Sequence, residues 1–209
     1  AGKDTVCGCT TGCVEVVTTI YPYTSWRTPF IHNAFENSAA TISGAEAAYR
    51  SLRKQGKIDK KINFIAMGGD GGTYDIGLQA LSGAMERGHN MLYICYDNEA
   101  YMNTGIQRSG GTPRGTATST TPAGKVIPGK QQYPKPLTEI MIAHEIPYVA
   151  QATPGYPKDM TDKIEKALSI EGPAFMNVLA PCTRGWRYPM EESMDIARQA
   201  VETCFWPIY

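Results

Sequence analysis

The chain has 209 residues, 42% of them hydrophobic, which is enough to bury a sizeable core within one domain. Its 20 Lys and Arg residues balance 20 Asp and Glu residues, so the charge gives no support for binding nucleic acid or an anionic membrane surface. No apolar run approaches the roughly 18 residues of a membrane-spanning helix, and residues 1–6 do not begin a signal peptide. We therefore expect a cytoplasmic protein.

The two ends of the chain indicate a part of a larger assembly. There is no initiator Met, and residues 204–209 end on an apolar run without a polar tail. We expect residues 1–209 to form a single domain that either lacks terminal segments of a longer chain or depends on partner chains.

Short apolar runs alternate along the chain with segments of helical spacing. The runs are typical of strands buried on both faces of a sheet and span residues 4–8, 62–67, 91–96, 148–152 and 174–180. The helical patterns span residues 35–55, 77–88, 158–170 and 191–205. This alternation predicts the α/β class, with a doubly wound, mostly parallel sheet. Residues 104–137 are rich in Gly, Pro, Ser and Thr, and a loop of that length is usually functional or disordered.

Polar turns follow two of the predicted strands, 62–67 and 91–96. The first is GGDGG with Asp70 at its centre, and the second is DNEAYMNTG with Asn98 near its start. Ligands of open α/β sheets bind above the carboxyl ends of the strands. Carboxylate and amide oxygens suit Mg²⁺, which commonly shares its coordination shell with phosphates. The plainer alternative is that Asp70 only caps a helix over residues 74–87 and that the glycines form an ordinary turn.

The chain contains six cysteines, and without a secretory context they are predicted to be reduced thiols or metal ligands. Cys95 and Cys204 are expected to be buried core thiols, and Cys7 and Cys9 to line the first strand. His89 follows the end of a predicted helix, where we expect it to be exposed.

Four segments together resemble the β subunit of pyruvate:ferredoxin oxidoreductase and its 2-oxoacid relatives, including oxalate oxidoreductase. The segments are PYTSWRTPFIHNAFENSAA, GGDGGTYDIGLQALSGAMERGH, YDNEAYMNTGIQRSGGTP and APCTRGWR. The resemblance covers nearly the whole chain, and DNEAYMNTGIQ is its most specific part. It implies a thiamine diphosphate-binding fold.

The resemblance also implies roles for individual residues. Asp70 and Asn98 match side-chain ligands of Mg²⁺, and Ala100 matches the residue that contributes its carbonyl oxygen. Gly69, Gly71 and Thr104 match positions that pack against the diphosphate. Asn103 matches an asparagine beside the thiazolium ring and substrate, and is the candidate catalytic residue.

The same family holds a 4Fe–4S cluster with four thiolates. Cys13 in TTGC and Cys182 in APCTRGW match two of these ligands. The C-x-x-C that supplies the other two in the family is absent from this chain, and Cys7 and Cys9 are one residue apart rather than two. A zinc site made by Cys7, Cys9 and Cys13 is less favoured, because no second close pair follows. By its position in the family, His32 is a candidate for the cofactor pocket, and a structural hydrogen-bonding role is the equally favoured alternative.

The resemblance implies oxidative decarboxylation of a 2-oxoacid, with electrons passing through the cluster to ferredoxin. The implied partners are an α subunit, γ and δ ferredoxin-like subunits or domains, ferredoxin and, in some relatives, coenzyme A. The carboxylate that activates the cofactor comes from a partner subunit in this family, and nothing marks Glu36 or Glu99 for that role. We therefore expect the isolated chain to be inactive.

Two alternatives remain open from the sequence: a non-redox thiamine diphosphate decarboxylase or carboligase, and a non-catalytic interaction module. The substrate is open as well. Pyruvate is the commonest expectation for the family, but PRGTATSTTPAGK and PCTRGW differ from the expected pyruvate-enzyme pattern. Oxalate or another 2-oxoacid remains a candidate.

Overall fold

The short apolar runs pair side by side in the computed structural model, which describes residues 4–209. All pairs are parallel, and the strand order in the sheet is β2-β1-β3-β4-β6-β5. The strands are β1 Thr5–Thr10, β2 Phe30–Asn33, β3 Asn63–Gly69, β4 Leu92–Asp97, β5 Tyr148–Ala152 and β6 Ala174–Leu179. The predicted α/β class with a parallel, doubly wound sheet is confirmed.

Each of the predicted strands is present, with its ends within two residues of the predicted bounds. Strand β2 was not predicted from the sequence. It has only four residues, and it forms by pairing with β1, where Phe30 lies opposite Cys7 and His32 opposite Cys9. A run this short carries little periodic signal, so its extended conformation depends on the neighbouring strand.

The predicted helices are also present, together with short helical turns near the sheet's edge. The helices are α1 Cys13–Thr18, α2 Ser38–Lys54, α3 Leu78–Glu86, α4 Leu137–Ile142, α5 Pro157–Ser169, α6 Thr183–Trp186 and α7 Ser193–Glu202. A π-helical segment, Gly71–Ile76, precedes α3, and a 3₁₀ turn, Met190–Glu192, precedes α7.

Apolar side chains cover the two faces of the sheet separately. One cluster joins Ile42 of α2 and Leu81 of α3 to Phe64 and Phe175 on the strands. A second cluster includes Ala167 of α5 and strand residues such as Met176. Because the strands are buried on both faces, they show continuous apolar runs rather than alternation.

Two of the burial predictions are wrong. Cys204 is exposed, because α7 ends at Glu202 and the chain turns there with Cys204 at φ 58°. His89 is buried, and its Nδ1 lies 2.7 Å from Oε2 of the buried Glu46 on α2. This ion-pair partner is distant in sequence, so the residues around His89 gave no signal of it. Cys7, Cys9 and Cys95 are buried as predicted.

The long segment between β4 and α4 folds back onto the carboxyl edge of the sheet. Isolated bridges tie Thr118 to Thr121 and Ala123 to Pro128 within it. Among residues 4–209, no helix combines the length and the apolar character that crossing a bilayer requires.

Candidate cofactor and metal site

Four neighbouring strands end at the same edge of the sheet, and the predicted site residues follow them. Residues 11–13 follow β1, residues 70 and 71 follow β3, residues 98–104 follow β4, and Cys182 comes shortly after β6. In the register, Gly69 lies opposite Tyr96, and Asp97 lies opposite Leu179. Parallel pairing therefore brings together turns that are far apart in the sequence.

Three oxygen atoms of the predicted metal ligands face one another. Oδ1 of Asn98 lies 2.8 Å from the carbonyl oxygen of Ala100 and 3.0 Å from Oδ1 of Asp70. Asp70 is 1% exposed, and its Oδ2 has no hydrogen-bond partner. Oxygen atoms this close together repel one another unless a cation or a proton lies among them.

The spacing of these oxygens fits a magnesium ion. In an octahedral shell with Mg–O distances of about 2.1 Å, neighbouring oxygens lie about 3.0 Å apart. Rotating the Asn98 amide by half a turn would convert the contacts into hydrogen bonds. Without a cation, that rotated amide is satisfied at both ends. With Mg²⁺ bound, the orientation with oxygen inward is satisfied instead, because Oδ1 then faces the cation and Nδ2 donates to Cys13 Sγ at 3.3 Å.

The glycines before α3 allow close packing against neighbouring groups, and Asp70 does not cap the helix. The Asp70 side chain makes no capping hydrogen bond, so its role as a plain N-cap is not supported. Gly77 N donates to Gly72 O at 2.7 Å, an i to i−5 bond of the kind found at functional sites. A Cβ on Gly71 would lie 2.3 Å from the Tyr101 ring, and one on Gly72 would lie 2.5 Å from the carbonyl oxygen of Phe35. Only glycine fits at either position.

A cavity of about 50 Å³ lies above these turns. It is lined by all the predicted cofactor contacts, Gly69, Asp70, Gly71, Asn98, Ala100, Asn103 and Thr104, and by Cys13. Asn103 and Thr104 are exposed at its rim, whereas Asp70, Asn98 and Ala100 are buried at its base. The cavity is therefore polar at the base and open where a partner chain or substrate would approach.

Buried carboxyl groups surround the base of this cavity. Burial, with a further contribution from the nearby Asp97, raises the pKa of Asp70 well above its usual range. Burial also raises the pKa of Asp97 to about 6, while the hydrogen bond from Tyr74, the Glu99 N–H and the Lys130 ammonium act in the opposite direction. Such a site favours binding a cation, since the cation would replace the missing solvation of the carboxylates.

The two predicted cluster cysteines lie near each other at the side of the cavity. Burial raises the pKa of Cys13, and the neighbouring Cys182 raises it further. Cys13 Sγ accepts hydrogen bonds from Asn98 Nδ2 and Asn103 Nδ2, both at 3.3 Å. Cys182 Sγ accepts from the Gly185 N–H at the start of α6. The amides that face the cofactor cavity thus also contact a candidate cluster ligand.

Other residues singled out in the sequence lie elsewhere. His32 is on β2, with Nδ1 4.0 Å from Glu15 Oε1, and does not line the cavity. Glu99 lines a separate cavity next to Asp97, with its pKa raised to about 9 by burial and then by Asp97 and Asp70. Trp186 Nε1 donates to the Asn98 carbonyl at 3.1 Å, so this residue supports the metal-ligand turn as well as packing.

No group of three His, Cys, Asp or Glu side chains within residues 4–209 is arranged to hold a metal ion.

Comparison with known proteins identifies the family. Residues 7–178 match the thiamine pyrophosphate enzyme, C-terminal TPP binding domain. Subunit PorB of pyruvate synthase from Methanocaldococcus jannaschii is 64% identical over 211 residues, covering all of this chain and 71% of the relative. The chain belongs to the thiamine diphosphate-binding β subunits of the 2-oxoacid:ferredoxin oxidoreductase family.

Other β subunits of this family are similar along the same stretch. Ketoisovalerate oxidoreductase subunit VorB from Pyrococcus abyssi is 46% identical over 208 residues, which span the whole chain and 67% of that subunit. A solved 2-oxoglutarate:ferredoxin oxidoreductase from Magnetococcus marinus superposes with a TM-score of 0.72 at 23% identity, over 94% of this chain and 68% of that one. At that identity, the structural likeness supports the fold alone.

Several residues of this β-subunit site were not apparent from the sequence. Asp97, Tyr74 and Asn177 form a buried chain in which Asn177 Nδ2 donates to Tyr74 Oη at 2.8 Å and Tyr74 Oη donates to Asp97 Oδ2 at 2.6 Å. Lys130 is 2% exposed near the same carboxylates. A lysine in a Gly- and Pro-rich loop is expected to be exposed to solvent, so its burial becomes apparent only in the folded structure.

Proposed function

We propose that this chain is the cofactor-binding β component of a pyruvate:ferredoxin oxidoreductase, with thiamine diphosphate, Mg²⁺ and a 4Fe–4S cluster. The observation that carries the proposal is the convergence of the Asp70, Asn98 and Ala100 oxygens beside Cys13. The metal ligands and the thiol share the Asn98 amide, whose oxygen faces the cation position and whose nitrogen donates to sulfur.

The chain's residues hold and orient the cofactor. Asp70, Asn98 and Ala100 supply three oxygens of a Mg²⁺ shell, and the diphosphate supplies others. Gly71 and Gly72 allow Tyr101 and the Phe35 backbone to pack closely at the start of the π-helical segment, where backbone N–H groups would favour the diphosphate. When bound, thiamine diphosphate supplies an electron sink for decarboxylation.

Electron transfer distinguishes this function from a plain decarboxylase. Cys13 and Cys182 are the chain's contribution to the cluster, and the remaining two thiolates come from outside this pair. Asn103, at the cavity rim, orients the 2-oxoacid and also donates to Cys13 Sγ. The cluster then lies next to the substrate, so electrons have a short path away from it.

Pyruvate is the proposed substrate. The M. jannaschii relative named as a pyruvate synthase subunit is 64% identical, whereas the relative named for ketoisovalerate is 46% identical. An α subunit and ferredoxin-like components are the proposed partners, since the cofactor-activating carboxylate is not among this chain's cavity residues. Coenzyme A is the proposed acyl acceptor.

The test is reduction of ferredoxin or viologen by the complete complex, prepared without oxygen. A panel of pyruvate, 2-oxoisovalerate, 2-oxoglutarate and oxalate is assayed, and pyruvate is expected to give the highest kcat/KM. Preference for oxalate or a branched 2-oxoacid would refute the substrate assignment.

Cys182→Ala separates the redox function from a non-redox decarboxylase. In an oxidoreductase, this variant loses iron and ferredoxin reduction but keeps binding of Mg²⁺ and thiamine diphosphate. Cys204→Ala is the matched control, because Cys204 is exposed and lies outside the site. Unchanged iron content and ferredoxin reduction in Cys182→Ala would contradict the cluster assignment.

A further inference from the structure

Lys130 is among the largest side chains that are almost completely buried in the described residues, with 2% of its surface exposed. Burying a lysine is costly unless its ammonium group is satisfied. Its Nζ donates to the carbonyl oxygens of Thr112 at 2.6 Å, Ser109 at 3.2 Å and Gly110 at 3.5 Å. Three acceptors match the three N–H donors of an ammonium group.

The backbone of Lys130 is anchored separately from its side chain. Its N–H donates to Thr116 O at 3.0 Å, and its carbonyl accepts from Gly115 N at 2.7 Å. Gly129 precedes it at φ 80°, where a Cβ would lie 2.4 Å from Thr116 O. The backbone of Lys130 is therefore fixed by its own hydrogen bonds, and the side chain extends from it to the turn formed by residues 109–112.

That turn lies directly against the metal-ligand residues. The Thr112 hydroxyl donates to the Glu99 carbonyl at 2.5 Å, and Glu99 is the residue between the two ligands Asn98 and Ala100. A Cβ on Gly111 would lie 3.2 Å from both Asp97 carboxylate oxygens and 3.5 Å from Asp70 Cβ. The turn thus covers the buried carboxylates and fixes the peptide that carries the ligands.

We propose that Lys130 is a positioning residue for the Mg²⁺ site, acting through Thr112 and Glu99. The ammonium fixes the 109–112 turn, the Thr112 hydroxyl fixes the Glu99 carbonyl, and the oxygens of Asn98 and Ala100 are thereby held at the spacing of an octahedral edge. The inference rests on the proposed Mg²⁺ and thiamine diphosphate site but adds residues that do not line it.

Replacing the ammonium by an apolar group of similar length removes the three donors. The Ser109 and Gly110 carbonyls keep backbone donors in Thr112 N and Lys135 N, whereas the Thr112 carbonyl loses its partner at 2.6 Å. The Thr112 carbonyl regains a hydrogen bond if the turn lifts into water, which also frees the Glu99 peptide. Part of the free energy of Mg²⁺ binding is then used to re-form the turn, so the affinity for Mg²⁺ falls.

The test uses the complete complex stripped of Mg²⁺, with thiamine diphosphate present at a saturating level. The dissociation constant for Mg²⁺ is measured by titration calorimetry for wild type, Lys130→Met and the control Lys125→Met. Lys125 is an exposed lysine of the same loop. We expect the constant to rise by at least about tenfold in Lys130→Met and to stay within about twofold in the control.

A second variant, Thr112→Val, removes the hydroxyl that links the turn to Glu99. If Lys130 acts through this link, the double variant binds Mg²⁺ about as weakly as Lys130→Met alone, because both changes break one path. A purely structural lysine would lower thermal stability without this non-additivity. Full turnover should return at high Mg²⁺ in the positioning case.

The outcomes are distinct. The inference is overturned if the Lys130→Met complex assembles and its dissociation constant for Mg²⁺ is unchanged. It is also overturned if the fold-changes in that constant for Lys130→Met and Thr112→Val simply multiply in the double variant. If Lys130→Met does not assemble, Thr112→Val decides alone, and an unchanged constant in that variant overturns the inference. A wild-type complex that binds no Mg²⁺ refutes the proposed function instead.

Discussion

Asp70→Asn is the most direct test of the metal site, since it changes one carboxylate oxygen to an amide nitrogen at nearly constant volume. Asp70 is 1% exposed and its Oδ2 has no hydrogen-bond partner, so water cannot replace the lost charge. Removing one member of a buried ion pair costs about 3–5 kcal/mol. At about 1.4 kcal/mol per tenfold, the Mg²⁺ dissociation constant should rise by more than about a hundredfold.

The same substitution should not destabilise the protein when Mg²⁺ is absent. Burial and the neighbouring Asp97 raise the pKa of Asp70, which means that its charged form is disfavoured in the fold without a cation. In wild type, a ligand at about 100 times its dissociation constant adds about 2.7 kcal/mol of stability. The expected result is a cofactor-dependent rise in Tm for wild type and none for Asp70→Asn.

The assay combines titration calorimetry with thermal unfolding of the complete complex, with and without Mg²⁺ and thiamine diphosphate. Asp59→Asn is the matched control, because Asp59 is exposed. The reasoning is refuted if Asp70→Asn keeps the cofactor-dependent rise in Tm. It is also refuted if the variant is clearly less stable than wild type without the cofactor.

Three further predictions concern packing, hydrogen bonding and thiol reactivity. Gly72→Ala should destabilise the fold by about 1–3 kcal/mol or more and weaken cofactor binding, because its Cβ would lie 2.5 Å from the Phe35 carbonyl oxygen. Tyr74→Phe should lower Tm by several degrees, since it leaves a buried carboxylate oxygen without its donor at about 1–3 kcal/mol. Iodoacetamide at pH 8 should label Cys204 and spare Cys9, which is buried and has a pKa raised to about 12, so very little thiolate forms.

Each of these predictions has a control within the chain. Gly44 in α2 has open space around a built Cβ, so Gly44→Ala should be neutral or stabilising by up to about 1 kcal/mol. Tyr23 is 83% exposed, and Tyr23→Phe should leave Tm unchanged. A destabilising Gly44→Ala, a neutral Tyr74→Phe, or labelling of Cys9 in the folded protein would each contradict the corresponding prediction.

The fold class was predictable because the local signals agreed with one another. Apolar runs buried on both faces of the sheet, such as the one around Cys95, alternate with helices that have clear spacing and stop signals. The missed strand β2 and the misplaced Cys204 show where those signals weaken. Both lie at an element end or at a sheet edge, where pairing with distant residues decides the conformation.

The candidate site was predictable to the extent that its ligands occur in short motifs. GGDGG and DNEAYMNTG contain the acidic, amide and glycine residues that a Mg²⁺-diphosphate site needs, and the structure places both turns at one cavity. The buried support for the site was not predictable. Lys130 lies 60 positions after Asp70 in the sequence, and nothing in its neighbourhood distinguishes it from the exposed Lys125.

The residues alone predicted the chain's α/β class, its strand-end turns and the chemistry of the proposed metal ligands. These depend on local periodicity and on residue type, which are properties of short segments. Tertiary structure decided that the Asn98 amide lies between Asp70 and Cys13, and that Lys130 is buried behind Thr112. Such contacts join segments that only the parallel sheet and the folded loop bring within hydrogen-bonding distance, so no short stretch of sequence contains them.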